Sequence, residues 1–224
     1  SARPPLGLAH AHVRTTAARA AGAACALHPD TLGALLEALR MLYHAENYSL
    51  APEYDQYGMV IESTLGREDP WHVRVAVARA IEASAPSFRA ADVVPFFVFA
   101  LQPGTALSDR HEAVRHAMLE ASSAVIDARG DDVLSELLSQ LEASLESEHD
   151  AVTEAAVVLL GRAARYLPAD SAHVRRVVER LLSALRTPSE LVQEAVASCL
   201  PALVRASAAA KDVPSIVDRL FVDL

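Results

Sequence analysis

The residues of this chain that could carry chemistry are few, and their spacing suits contact better than catalysis. His111 and Glu112 form one histidine–carboxylate dyad. Such dyads hold iron when they repeat across successive helical units and converge on an ion, and here the dyad stands alone. His10, His111 and His149 each lie three residues before a valine (Val13, Val114, Val152) and so occupy equivalent positions at helix starts. Packed helix axes are about 8–10 Å apart whereas a metal needs ligands at about 2 Å, so these histidines read as solvated first-turn residues. The acid pairs Asp131–Asp132 and Glu146 with Glu148 read as helix caps and solvated ends. The chain has no glycine-rich phosphate loop, no G-x-S-x-G turn and no matched Cys–His pair. The expectation is a protein that is not an enzyme and takes no cofactor or metal.

Two groups carry binding chemistry. Arg175, Arg176 and Arg180 cluster on one segment, with Arg176 and Arg180 sharing a helical face, and fit an acidic partner or an RNA phosphate. The alternative is pairing with neighbouring acids such as Glu179 and Glu190. Tyr48, Tyr54 and Tyr57 are three of the five tyrosines and fall in a stretch, 47–67, where helical periodicity lapses around Pro52, Gly58 and Gly66. That stretch reads as a long inter-repeat loop that presents a binding surface; the alternative is a lid in which Met59, Val60, Ile61 and the tyrosines fold back on neighbouring helices.

The elements that must position these groups are helical. Val192-Gln193-Glu194-Ala195 has counterparts at Val152-Thr153-Glu154-Ala155, Val114-Arg115-His116-Ala117 and Val73-Arg74-Val75-Ala76, separated by 40, 38 and 41 residues. Around the first of these, Leu191, Val192, Ala195, Val196, Cys199, Leu200 and Leu203 recur at three- and four-residue spacing, one buried helical stripe. A period near forty with two helices per unit is the signature of HEAT or armadillo arrays. With 52% hydrophobic residues but only 5% aromatics, the core must be built from Ala, Leu and Val, which suits helix-on-helix packing. The fold class is therefore all-α: an α-solenoid of about five HEAT-type hairpins, at 1–46, 68–102, 107–147, 148–186 and 187–224, with the loop 47–67 inserted between the first two. Ser108 or Asp109 is the expected cap of the helix that begins at Arg110, and the apolar run Val94 to Phe99 predicts a helix packed on nearly every side. Both ends read as cut from a longer array, since Ile216, Val217, Leu220, Phe221, Val222 and Leu224 stay apolar to the last residue.

Bulk composition excludes other classes. The net charge of −9 comes from 29 acids against 20 bases, and Lys211 is the sole lysine. Such a balance argues against wrapping duplex nucleic acid, so no direct DNA binding is expected. Cys25 and Cys199 lie far apart on apolar faces and read as packed free thiols of a reducing compartment. No apolar run of about eighteen residues occurs, and no targeting segment opens the chain, so a soluble intracellular protein without a membrane partner is expected.

At Ser108-Asp109-Arg110-His111, with Val114-Arg115 and Met118-Leu119, and at Thr187-Pro188-Ser189 through Val192-Gln193-Glu194 and Val196-Ala197-Ser198-Cys199-Leu200-Pro201, the chain is similar to the giant HEAT-repeat translational activators of the general amino-acid control response. The resemblance runs from about Leu35 to the end and includes Leu42-Tyr43 and the loop before Trp71. It places the segment just before the elongation-factor-three-like region of such proteins. It implies a cytoplasmic scaffold that sits on ribosomes, including stalled ones, and helps activate the kinase of initiation factor two alpha alongside an ABC-type ATPase. The kinase-binding determinants of that family are expected C-terminal to this segment, so the resemblance assigns no functional residue here. Another HEAT scaffold, such as a nuclear transport receptor or a phosphatase scaffold, fits the composition alone equally well.

Overall fold

A computed structural model describes residues 10–167, 172–186 and 188–206, with the side chains of 63, 172–175, 191 and 200–206 outside that description. Among the described residues the regular elements are nine α-helices joined by short 3-10 turns, and the only extended pairing is an isolated antiparallel bridge between Tyr54 and Val60. The first helices of successive repeats are α1 (Ala11–Leu27), α3 (Trp71–Ser84), α5 (Glu112–Arg129), α7 (Asp150–Ala163) and α9 (Glu190–Ala206); the second helices are α2 (Leu32–Ala45), α4 (Ala90–Ala100), α6 (Leu134–Ser144) and α8 (Ala172–Ala184). The second helix expected at the end of the fifth unit, along with the apolar residues from Ile216 on, lies outside the described residues.

The repeat valine explains the stacking. Val73, Val114, Val152 and Val192 are all buried, each at the third position of the first helix of its unit, and the last three join one common core. First helices pack on first helices in the order α1, α3, α5, α7, α9, and each second helix packs on the first helix of the next unit. Small residues set how close they come. Gly22 of α1 lies against the Ala83 backbone of α3, where an added Cβ would sit 2.8 Å from Ala83 Cβ. Gly161 of α7 meets Cys199 of α9 in the same way, with 2.6 Å from an added Cβ to the thiol sulfur. Glycine is placed here for close approach rather than for turning. Burial pushes the Cys199 thiol above its ordinary pKa, and Cys25 is buried beside Thr31, so both cysteines are packed thiols.

The helix ends depart from expectation in two places. Neither Ser108 nor Asp109 caps α5: the capping side chain is His111, whose Nδ1 accepts from the Ala113 amide at 3.2 Å. Asp109 is turned inward instead, because a buried guanidinium competes for its carboxylate. Helix α4 is also less enclosed than its composition suggests, since Val98 is 55% exposed. Helices α2 and α4 do not close on each other, and a cleft of about 520 Å³ lined by Leu36, Ile81, Pro95, Val98 and Phe99 runs between them.

Candidate functional site

The insertion between the first two units leaves α2 after Ala45 and returns at Trp71, and one arginine from α3 organises its foot. Arg74 follows the repeat Val73 and has no exposed surface. Its Nε and Nη2 donate to the two oxygens of Asp109 at 2.7 and 2.9 Å, and its Nη1 and Nη2 donate to Asp69 at 2.6 and 3.2 Å. Nη1 also donates to the Glu46 carbonyl at 2.8 Å, so one planar fork ties the first residue after α2, the last acid before α3 and the turn before α5.

A buried charge is tolerated only when it is matched. Two aspartates here meet two arginines: Arg110 donates to Asp69 at 2.8 and 3.1 Å and to the Tyr48 carbonyl at 2.8 Å. Asp109 takes two further bonds, from the hydroxyl of the buried Tyr43 and from the His111 amide at 2.8 Å. The Tyr43 oxygen in turn accepts from the Ala106 amide at 2.8 Å. That bond holds Ala106 at φ 36°, in the left-handed region that Ala ordinarily avoids. Arg115 closes the turn from outside by donating to the Asp109 carbonyl at 2.9 Å.

Each ionisation state follows from these contacts. The hydrogen bonds from Arg110, reinforced by those from Arg74, hold the Asp69 carboxyl well below the usual carboxylate range against the opposing effect of burial. Burial, with Asp109 adding to it, pushes the Tyr43 phenol well above its ordinary value. Burial alone would lower the pKa of Arg74, but the bonds to Asp109 and Asp69 outweigh it and leave the guanidinium more firmly charged than a free one. Asp69 and Arg74 are thereby held charged and the Tyr43 phenol neutral.

Above this foot the insertion forms a small hairpin. Asn47 Nδ2 donates to the Gly104 carbonyl at 3.0 Å, Tyr48 donates its hydroxyl to the Glu68 carbonyl at 3.0 Å, and the Arg67 guanidinium lies 5.7 Å over the Tyr48 ring. Arg67 also pairs with Glu53 at 3.0 Å. The buried Thr64 hydroxyl accepts from the Glu53 amide and donates to the Ile61 carbonyl at 2.6 Å. At the tip, Asp55 Oδ1 accepts from the amides of Tyr57 and Met59 at 2.8 and 2.9 Å, and Gly58 takes φ 77°, a conformation its missing Cβ permits. The Asp55 amide donates to the Met59 carbonyl and the Ile61 amide to the Glu53 carbonyl, both at 2.9 Å. The tip side chains stay outside: Tyr57 is 81% exposed, Met59 67% and Tyr54 61%. Trp71, at the start of α3, stacks on His111 with ring centres 4.4 Å apart and planes 7° from parallel.

The family model described as stalled ribosome sensor GCN1, HEAT repeats, matches residues 6–165. The chain belongs to the GCN1 family. It is 33% identical over 219 residues to the human stalled ribosome sensor GCN1, covering 96% of this chain and 8% of that protein. To the eIF-2-alpha kinase activator GCN1 of Saccharomyces cerevisiae it is 36% identical over 172 residues, 75% of this chain and 6% of the relative. The Arabidopsis thaliana protein ILITYHIA is 32% identical over 205 residues, 88% of this chain and 7% of the relative. The chain thus spans less than a tenth of the length of the curated relatives it matches. No solved structure matches it.

In this GCN1-family segment the residues singled out by sequence separate into posts and presented groups. Tyr48 is a post: its hydroxyl, ring and carbonyl are all engaged at the foot of the hairpin. Tyr54 and Tyr57 are presented, and the folded-back lid is not formed. Arg176 pairs with Glu142 of α6 at 3.2 Å and Arg180 with Glu146, just past the end of α6, at 2.9 Å, so both tie α8 to the preceding unit. Their partners are acids one repeat away rather than Glu179 or Glu190. The side chain of Arg175 lies outside the described residues. The first-turn histidines are not all solvated, since His111 is half-buried between Trp71 and its capping bond. Among the described residues no group of three or more metal-ligating side chains comes together. Nor is any described helix long and apolar enough to cross a membrane.

Tyr43, Arg74, Asp109 and Arg110 fall within stretches that carry the repeat or the family resemblance, but nothing there says that they meet one another and Asp69. A signal does exist: acids stand five residues before Arg74 and six before Arg115, each arginine directly following a repeat valine. At the two later valines the next residue is Thr153 or Gln193, so the valine–arginine pair stops at the third unit.

Proposed function

We propose that this segment is a non-catalytic scaffold of a cytoplasmic, ribosome-associated translational regulator, which helps activate the kinase of initiation factor two alpha when ribosomes stall or amino acids run short. The observation that carries the reading is family membership across residues 6–165 together with a continuous spine of stacked first helices, the geometry of a spacer that holds binding surfaces at fixed separation. The human relative is named a stalled ribosome sensor and the yeast relative an eIF-2-alpha kinase activator. The partners proposed for the whole protein are the ribosome, that kinase and an ABC-type ATPase. The charged cluster at the foot of the hairpin ties structural elements together, as a scaffold requires. Polysome fractionation of the full-length protein, with and without amino-acid starvation, tests the proposal. Co-sedimentation with ribosomes that persists or grows on starvation is expected; absence from ribosomal fractions in both conditions overturns it.

A further inference from the structure

The hairpin at 53–61 has the makings of a docking element, and its chemistry selects among partners. Large apolar side chains seldom stand together in water without a use, yet Tyr54, Tyr57, Met59 and Val60 do so on nine residues of chain. They are held there. The foot is fastened by the Arg74 fork and by Arg110, the stem by the Thr64 and Glu53 bonds, and the turn by the Asp55 side chain. A preformed hairpin with tyrosines at its tip loses little conformational freedom on binding, which is the condition under which a small contact is worth most. The exposed charge of the insertion is one-sided: Asp55, Glu62 and Glu68 are exposed carboxylates, whereas its one cation, Arg67, is paired with Glu53, and Asp69 is matched at the foot by Arg74 and Arg110.

We propose that the 53–61 hairpin is a protein-docking finger whose partner is a basic protein surface bearing an apolar recess, into which Tyr57 and Met59 insert while Asp55, Glu62 and Glu68 meet cations on its rim. RNA is the competing surface on a ribosome. Single-stranded bases do stack on tyrosine, but RNA-binding platforms of that kind pair their aromatics with a positive groove that tracks the phosphates. Here the surroundings of the aromatics are negative and would repel a phosphate backbone within the screening length of about 8 Å at physiological salt. The inference rests on the ribosome-associated scaffold reading for the place where that basic surface is met.

The test uses the full-length protein and purified ribosomes. A photo-reactive benzoyl-phenylalanine at position 57 is expected to crosslink to a basic protein, with the same group at the exposed Met41 as a control position. The variant Tyr54→Ser/Tyr57→Ser/Met59→Ser is expected to weaken ribosome association at least about tenfold, the effect of losing one interface hot spot or more. Its thermal unfolding should match that of the unaltered protein, because none of the three side chains is packed in the core. The charge reversal Glu62→Lys/Glu68→Lys separates the two surfaces: it weakens binding to a basic protein and strengthens binding to RNA. Crosslinking to ribosomal RNA, tighter binding after charge reversal, or unchanged binding of the tip variant each overturns this inference while leaving the scaffold reading intact. Failure of the unaltered protein to bind ribosomes overturns both.

Discussion

Replacing Arg74 by Met keeps an apolar stem as far as the Nε position and removes the charged fork, so it probes what the fork contributes. Five hydrogen bonds disappear: two to Asp109, two to Asp69 and one to the Glu46 carbonyl. The two aspartates do not suffer equally. Asp69 is partly exposed and keeps both bonds from Arg110. Asp109 has no exposed surface and keeps only the Tyr43 hydroxyl and the His111 amide, neither of which carries charge. Stranding one member of a buried ion pair costs about 3–5 kcal/mol. For a chain of this size each kcal/mol is worth about 2–4 °C in melting temperature, so a loss of roughly 6–20 °C is expected by calorimetry or circular dichroism. A repeat array need not unfold in one step, so the early transition should involve α1 to α5 and the later one α7 and α9. The double variant Arg74→Met/Asp109→Asn removes the stranded charge along with its partner. It should be less destabilised than the two single changes predict together, by at least about 1 kcal/mol. A melting temperature within about 1 °C of the unaltered chain, or strictly additive single and double variants, would refute the reasoning.

Other outcomes follow from the same contacts. Because the folded Asp69 carboxyl sits below its unfolded value, its contribution is fully present above about pH 4 and is lost as pH falls through that value and below; acid melts should be shallower in Arg110→Ala, whose Asp69 loses its largest stabiliser. Gly22→Ala drives a methyl group into the Ala83 backbone and should cost roughly 1–3 kcal/mol in thermal or chemical denaturation, whereas the same change at Gly33, inside α2 with no neighbour closer than 3.8 Å, should be neutral or stabilise by up to about 1 kcal/mol. Ala106→Gly relieves the left-handed strain and should raise stability by up to about 1 kcal/mol, a gain that a crystal structure retaining the Tyr43 bond would explain.

The spine was legible in sequence and the tie was not, for a physical reason. A repeat valine with apolar residues at three- and four-residue spacing reports burial along one helix, and that is local information: Val73, Val114, Val152 and Val192 all proved buried at equivalent places. Arg74 depends on Asp109, 35 residues on, and Asp109 depends on Tyr43, 66 residues back. Nothing in the immediate neighbourhood of any one of them says that the three meet. The misplaced cap at α5 has the same origin, since Asp109 is a good capping residue by type but the buried guanidinium offers it two charge-assisted bonds. The turn Asp55-Gln56-Tyr57-Gly58 was readable in principle, with an Asx residue at its start and glycine at the left-handed position. What the sequence left open was whether Tyr54 and Tyr57 face the helices or the solvent, because that depends on how the foot is fastened.

Hydrogen–deuterium exchange along the chain tests most directly whether the insertion is a fastened element rather than a loose connector. Slow exchange is predicted for the buried first helices and measurable protection for the amides of Glu53, Met59, Ile61 and Thr64, with the protection of all four lost in Arg74→Met. Exchange across 46–70 at the rate of an unstructured peptide, beside protected flanking helices, would contradict the account.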